Sequence, residues 1–257
     1  MHHLTLQQRT PRRLALSLAA LAVVGTAATG LAAAPAQAAP PRPATFRIQA
    51  ALAPRDPVVV GVSKTKKVPL SMAVTESSAN ASATDVVLDG GPKIYRVPLA
   101  EGESFDGLTF FDATITLRPS ALTNDQAGPW PTTFRILDDQ PEAAVTNDLQ
   151  VLRATRLKVN ASPEPVRAGG TVTVTGLLER ANWDRGRYLP YSGRPLDLQF
   201  RTTNGTYATI KSLKTSTAGT VRTTVTSGTQ DGYYRLVFAG TGSSGSSHTA
   251  GDFVDVR

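Results

Sequence analysis

The sequence contains no cysteine. Disulfides, thiol nucleophiles and thiolate metal sites are therefore excluded, and any core must hold by packing alone. Histidine is almost as scarce, with His2, His3 and His248 making up the whole set. A Ser–His hydrolase needs a firmly placed base, and His248 stands in the Gly/Ser-rich stretch Ser243–Thr249. There is no Gly-x-Ser-x-Gly elbow, no Walker loop and no dinucleotide fingerprint. Carboxylates are scattered and fall mostly between apolar runs, so no pair is marked out for glycoside hydrolysis. Helical periodicity is missing as well: beyond residue 38 no segment keeps an apolar period of 3.6 for the ten or so residues a helix usually needs. These absences argue against an enzyme.

The N-terminus is not read as part of the fold. Arg9, Arg12 and Arg13 precede the mostly apolar run Leu14–Ala34, which is followed by Ala36-Gln37-Ala38. A charged flank, an apolar centre and a small-x-small site make a secretory signal peptide, with cleavage after Ala38. Gly25, Thr26, Thr29 and Gly30 weaken the run as a membrane anchor. Residues 39–44 form a Pro-rich tether. The mature chain is then 257 − 38 = 219 residues, the length of two domains of roughly 110 residues each.

Charge is divided unevenly. Residues 39–153 carry 11 Lys/Arg against 13 Asp/Glu, and residues 154–257 carry 13 against 7. The second half, at net +6, suits either a soluble surface with surplus arginine or attraction to anionic surfaces such as wall polymers. An exported chain of this modest charge is not read as a nucleic-acid binder.

What the mature chain does have is period-two alternation. In the first half strands are predicted near Thr45–Leu52, Val58–Val62, Lys67–Val74, Asp85–Leu88, Lys93–Leu99, Leu108–Leu117, Thr132–Leu137 and Ala143–Leu152. Turn-formers separate them, including Asp89-Gly90-Gly91-Pro92 and Gly128-Pro129. In the second half strands are predicted near Thr155–Asn160, Thr171–Leu178, Pro195–Thr202, Tyr207–Leu213, Thr220–Thr226, Gly232–Ala239 and Asp252–Val256. Asn204-Gly205 is a strong hairpin signal between two of them. The fold class is thus all-β: two tandem β-sandwich domains, 45–153 and 154–257, the second immunoglobulin-like with about seven strands.

Particular residues carry a resemblance. Ser162-Pro163-Glu164-Pro165-Val166-Arg167-Ala168-Gly169-Gly170-Thr171 to Gly176, then Leu198-Gln199-Phe200-Arg201, Gly219-Thr220 and Asp231-Gly232-Tyr233-Tyr234, and finally Gly251–Val256, stand in the order seen in bacterial immunoglobulin-like domains. The region 155–257 resembles secreted domains of Gram-positive bacteria, some of them labelled calcium-binding. The resemblance implies a strand ending at Gly176, a corner at Asp231–Tyr234 where a Tyr hydroxyl bonds to nearby backbone, and no catalytic residues. It implies an extracellular structural or adhesive module, with binding of calcium or cell-wall glycan as the alternative.

Two candidate sites follow. No cofactor is called for, but calcium is the one metal left open, because it needs 6–8 oxygens at one point. Asp138, Asp139 and Glu142 share one predicted hairpin turn; Asp also populates turns for local hydrogen-bonding reasons. For a ligand or an extracellular partner, the predicted loop Glu179–Pro195 offers Trp183, Tyr188 and Tyr191 among Arg185, Arg187 and other arginines. Aromatics stack on sugar rings and guanidinium forks suit phosphate or carboxylate. In the competing arrangement Trp183 and Tyr188 fold back over the sandwich end with arginine stems packed on them.

Overall fold

Val68, Leu70, Met72 and Val74 alternate along one strand, and all four are buried. Ile115 and Leu117 are buried on the strand beside them, which is in register with it over ten residue pairs. Val172 and Val174, Leu196 and Leu198, and Tyr234, Leu236 and Phe238 repeat the pattern further on. Burying one face of each strand takes its large apolar side chains out of water, about 1.5–3 kcal/mol apiece. That fixes each register, since a slip of one residue would turn the face outward.

The computed structural model describes residues 47–75, 84–137, 142–146 and 148–257. The leader and tether expected over 1–44 lie outside them. All belong to one compact unit, Pro43–Arg257. The described residues contain strands and two short 3-10 turns, Pro119–Ala121 and Asn124–Gln126. Among them no helix is long and apolar enough to cross a membrane.

In the first half, β1 (Ile48–Leu52), β3 (Lys66–Thr75), β7 (Leu108–Leu117) and β6 (Ala100–Phe105) form one antiparallel sheet in the order β1-β3-β7-β6. A second sheet runs β10-β9-β4-β5, from β4 (Thr84–Asp89), β5 (Ile94–Pro98), β9 (Thr132–Ile136) and β10 (Glu142–Val145). A third, smaller sheet sets β11 (Leu149–Arg153) parallel to β2 (Val58–Val60) and antiparallel to β8 (Gly128–Trp130). All three contribute to one apolar cluster centred on Leu70, Met72, Leu88, Phe134 and Trp130. Trp130 stacks on Tyr95 with centroids 5.1 Å apart and donates its indole N–H to the Gln126 carbonyl.

In the second half, β12 (Thr155–Ser162), β13 (Thr171–Asn182), β14 (Arg187–Pro190) and β17 (Thr220–Thr226) make one sheet, with β13 at its centre. The other sheet is built from β15 (Pro195–Thr202), β16 (Ala208–Lys214), β18 (Gly232–Phe238), β19 (Ser247–His248) and β20 (Asp252–Val254). A second apolar cluster holds Val172, Val174 and Leu178 of the first sheet with Leu198, Leu236 and Phe238 of the second. This is an immunoglobulin-like sandwich of two antiparallel sheets.

Four expectations need correction. Gly128-Pro129, read as a separator, begins β8. The expected strand Ala143–Leu152 is two strands, β10 and β11, in different sheets. The segment Glu179–Pro195, read as a loop, is a hairpin: β13 continues to Asn182, turns at 183–186 and returns as β14. Gly176 accordingly lies inside β13, not at its end.

Candidate functional site

Trp183 sits on the turn between β13 and β14, yet it belongs to the apolar cluster of the first half. It is buried, and its indole N–H reaches the carbonyls of Val60 (3.2 Å) and Gly61 (3.0 Å). Asn124 braces the same turn, since its side-chain oxygen accepts from the Trp183 backbone N–H. Tyr191 is buried in the second cluster, edge-on to Phe238. Tyr188 is half-buried beneath the Arg156 guanidinium, 3.6 Å from its ring centre. Arg185 and Arg187 are exposed. The structure therefore does not gather these five into one aromatic surface, and neither Trp183 nor Tyr191 offers a ring face to a sugar. Asp138 and Asp139 lie outside the described residues, as does the Glu142 side chain. Among the described residues, no group of three or more acidic or histidine side chains converges on a point. His248 lies exposed on β19, paired with Val237 of β18.

A different surface brings arginine and aromatic side chains together. The buried side chains of β15 and β18 include Leu196, Leu198, Tyr234, Leu236 and Phe238, so Gln199, Arg201, Tyr233 and Arg235 point the other way. Register places Gln199 opposite Arg235, Arg201 opposite Tyr233, and Tyr233 opposite Phe253 of β20. Tyr207, just before β16, lies across the row. The Arg235 guanidinium sits 3.7 Å from the Tyr207 ring centre, and Arg201 lies 5.2 Å from Tyr207 and 4.3 Å from Tyr233. Phe253 extends the row, 5.2 Å from Tyr233 and 38% exposed.

Local bonds hold this ladder in place. Arg235 Nε donates to Gln199 Oε1 at 2.8 Å, and Arg201 Nη1 donates to the Thr203 carbonyl at 2.7 Å. The Tyr207 hydroxyl donates to the Ala250 carbonyl at 3.2 Å. Gly251 makes room for that approach: it has φ +115°, and a Cβ there would stand 2.3 Å from the Tyr207 oxygen. Among the described residues neither guanidinium is in an ion pair; the ion pairs there are Arg135–Asp85 and Arg257–Asp255. Asp197, on the same face of β15, accepts from the Ser212 hydroxyl. Beside Arg201 a shallow polar depression of about 430 Å³ opens between the Asn204 hairpin and the Thr229–Asp231 turn.

The corner at Asp231 is tied differently from the expectation. The Asp231 carboxylate accepts the Val256 backbone N–H at 2.7 Å, joining the corner to the closing segment. Tyr234 is buried, and among the described residues its hydroxyl makes no backbone bond; burial alone pushes its pKa up.

No known protein family and no curated protein matches this chain. Solved structures with some likeness include a marsupial T cell receptor (14% identity, TM-score 0.37), with 83% of this chain aligned to 72% of that one. Dimeric latent PorU from Porphyromonas gingivalis aligns at 16% identity and TM-score 0.31, over 82% of this chain and 20% of PorU, so this chain spans a fifth of its length. The mouse nectin-like molecule 4 ectodomain aligns at 14% identity and TM-score 0.24, over 83% and 64%. Likeness at this level says nothing about ligand or activity.

Proposed function

We propose that this chain is an exported, non-catalytic binding or structural module whose β15–β18–β20 face engages an anionic extracellular polymer. The observation that carries this reading is the ladder of Arg201, Arg235, Tyr207, Tyr233 and Phe253, whose two guanidiniums have no carboxylate partner among the described residues. Stacked guanidiniums keep their charge and their planar fork while giving up little hydration. A flat row of this kind suits the repeating charge and ring faces of an acidic glycan or wall polymer. The net charge of +6 over 154–257 supports the same partner, because a basic field raises the local concentration of polyanion. Export rests on the leader read from residues 1–38. Calcium binding at Asp138, Asp139 and Glu142 is the second reading, carried only by their spacing in the sequence.

The test is retention of the mature protein on anionic wall polymer and on a neutral glycan. Retention on the anionic polymer, falling with salt and falling again in R201Q/R235Q, supports the reading. Equal retention of wild type and double variant, or none on any anionic polymer at low salt, overturns it.

A further inference from the structure

A second group of arginines, away from the ladder, gathers around Tyr191. Arg153 ends β11 and is buried, 7% exposed. Its Nε donates to the Ala181 carbonyl at 2.6 Å, and its backbone bonds to Ser243 and Gly245. Arg180, on β13, lies 4.0 Å from the Tyr191 ring centre and donates Nη1 to the Ser244 hydroxyl at 3.2 Å. Arg194 lies 4.6 Å from the same ring centre. Its Nε is buried with no hydrogen-bond acceptor among the described residues. The Ser244 hydroxyl donates to the Tyr191 oxygen at 3.3 Å, so Arg180, the serine and the phenol meet at one spot, with Arg194 stacked on the same ring.

None of the three arginines is in an ion pair among the described residues. Asp184, on the exposed turn, favours the Arg153 cation, more weakly than burial and Arg180 act against it. Burial and mutual repulsion both act against the cations: burial, then the field of Arg180, lowers Arg153 to about 10. Stacking on one ring and bonds to neutral oxygens satisfy some N–H groups but supply no opposite charge. Buried cations in proteins are otherwise paired. An orphaned Nε, beside a second guanidinium already aimed at a hydroxyl, is the donor arrangement that grips two oxygens of a tetrahedral anion.

We infer that Arg180 and Arg194, backed by Arg153 and Ser244, form a binding site for an oxyanion of the phosphate or sulfate type. Arg180 and Arg194 are half-buried and form its outer side, while the Arg194 Nε and Arg153 lie within. The site lies where β11 and the Thr241–Gly245 turn meet the β13–β14 hairpin, so an anion there ties those elements together.

Thermal unfolding of the mature chain in inorganic phosphate, in sulfate and in polyphosphate, each against chloride at matched ionic strength, tests this. The melting midpoint should rise with the logarithm of oxyanion concentration. R194Q should weaken the effect about tenfold or more, the loss of one charge-assisted hydrogen bond. A rise with polyphosphate alone assigns the same site to a chain-borne phosphate. A wild-type readout guards against misfolded variants: the bound anion should move the Tyr191 ionisation step, followed by tyrosinate absorbance, to higher pH. No midpoint rise with any oxyanion, or a rise undiminished in R194Q with the Tyr191 step unmoved, overturns the inference. Neither result bears on the R201Q/R235Q retention test.

Discussion

Trp183 donates its indole N–H to the Gly61 carbonyl at 3.0 Å across 122 residues of sequence. The donor sits on the turn after β13 of the second sandwich, and the acceptor follows β2 of the first. The ring itself is packed in the first-half cluster beside Ala181 and Val60. One side chain thus makes the turn at the end of the second half's longest strand part of the first half's core.

Replacing Trp183 with alanine should therefore cost about 3–5 kcal/mol of stability, the range for truncating a buried large aromatic. Trp183→Phe keeps most of the packing and loses the N–H, so about 1–3 kcal/mol is expected. Chemical denaturation of the two variants checks both values. Because Trp130 and Trp183 are both buried and are the two tryptophans of the chain, indole fluorescence should stay unchanged on adding anionic polymer. A polymer-dependent change would place Trp183 at the binding surface after all.

Gly176 lies opposite Val159 on one side of β13 and Val221 on the other. A Cβ at this position would come within 2.2 Å of Leu236 Cδ1 and 2.9 Å of the Lys158 carbonyl. The two sheets approach closely here, and only a residue without a side chain fits. Gly176→Ala should destabilise by about 1–3 kcal/mol, the usual cost of overpacking a core. An unchanged denaturation midpoint would show that Leu236 moves aside freely.

Most of the sandwich was legible because alternation is a local signal. The inward residues Val68, Leu70, Met72 and Val74, and likewise Tyr234, Leu236 and Phe238, are those that period two selects. Short strands were not legible: Gly128–Trp130 contains a proline and reads as a turn, and it becomes a strand only because β11 pairs with it. For a related reason the sequence left open whether Trp183 in the segment 179–195 faces outward or folds back, and the structure folds it back. Trp183 among arginines is the same sequence whether its ring faces solvent or a neighbouring core, and the choice is made by residues 122 and 123 positions away. The ladder did have a signal, in the outward positions Arg201, Tyr233 and Arg235 of strands whose inward positions were already assigned. Their alignment into stacks depends on register between β15 and β18, which alternation in a single strand does not set.

Asp85 of β4 and Arg135 of β9 are cross-strand partners joined by a two-pronged ion pair, with Arg135 Nε donating to Asp85 Oδ1 at 2.7 Å. The hydrogen bond to Asp85 is the main reason the arginine is held above its ordinary pKa. Both side chains touch solvent, so screening limits the contribution. Asp85→Asn should cost about 0.5–1 kcal/mol, and the difference from wild type should shrink in high salt. A loss that does not respond to salt would mean that the geometry of the bonds, not the charge, matters there.

Tyr191 and Tyr234 should titrate on opposite sides of ordinary tyrosine. Burial opposes ionisation of Tyr191, but hydrogen bonds from Ser244 and Thr241 and the charges of Arg180 and Arg194 outweigh it and hold its pKa below the usual value. Burial alone raises Tyr234. A phenol whose pKa is lower folded than unfolded stabilises the fold fully above the unfolded value of about 10, and loses that contribution as pH falls through the folded one. A raised phenol acts in reverse, so Tyr234 subtracts stability once pH passes about 10. Tyrosinate absorbance should thus show an early step that disappears in Tyr191→Phe. Below about pH 10, the stability gained per pH unit should be smaller in that variant than in wild type. If the early step survives in Tyr191→Phe, the guanidiniums around it act on some other phenol, and the charge arrangement around Tyr191 is wrong.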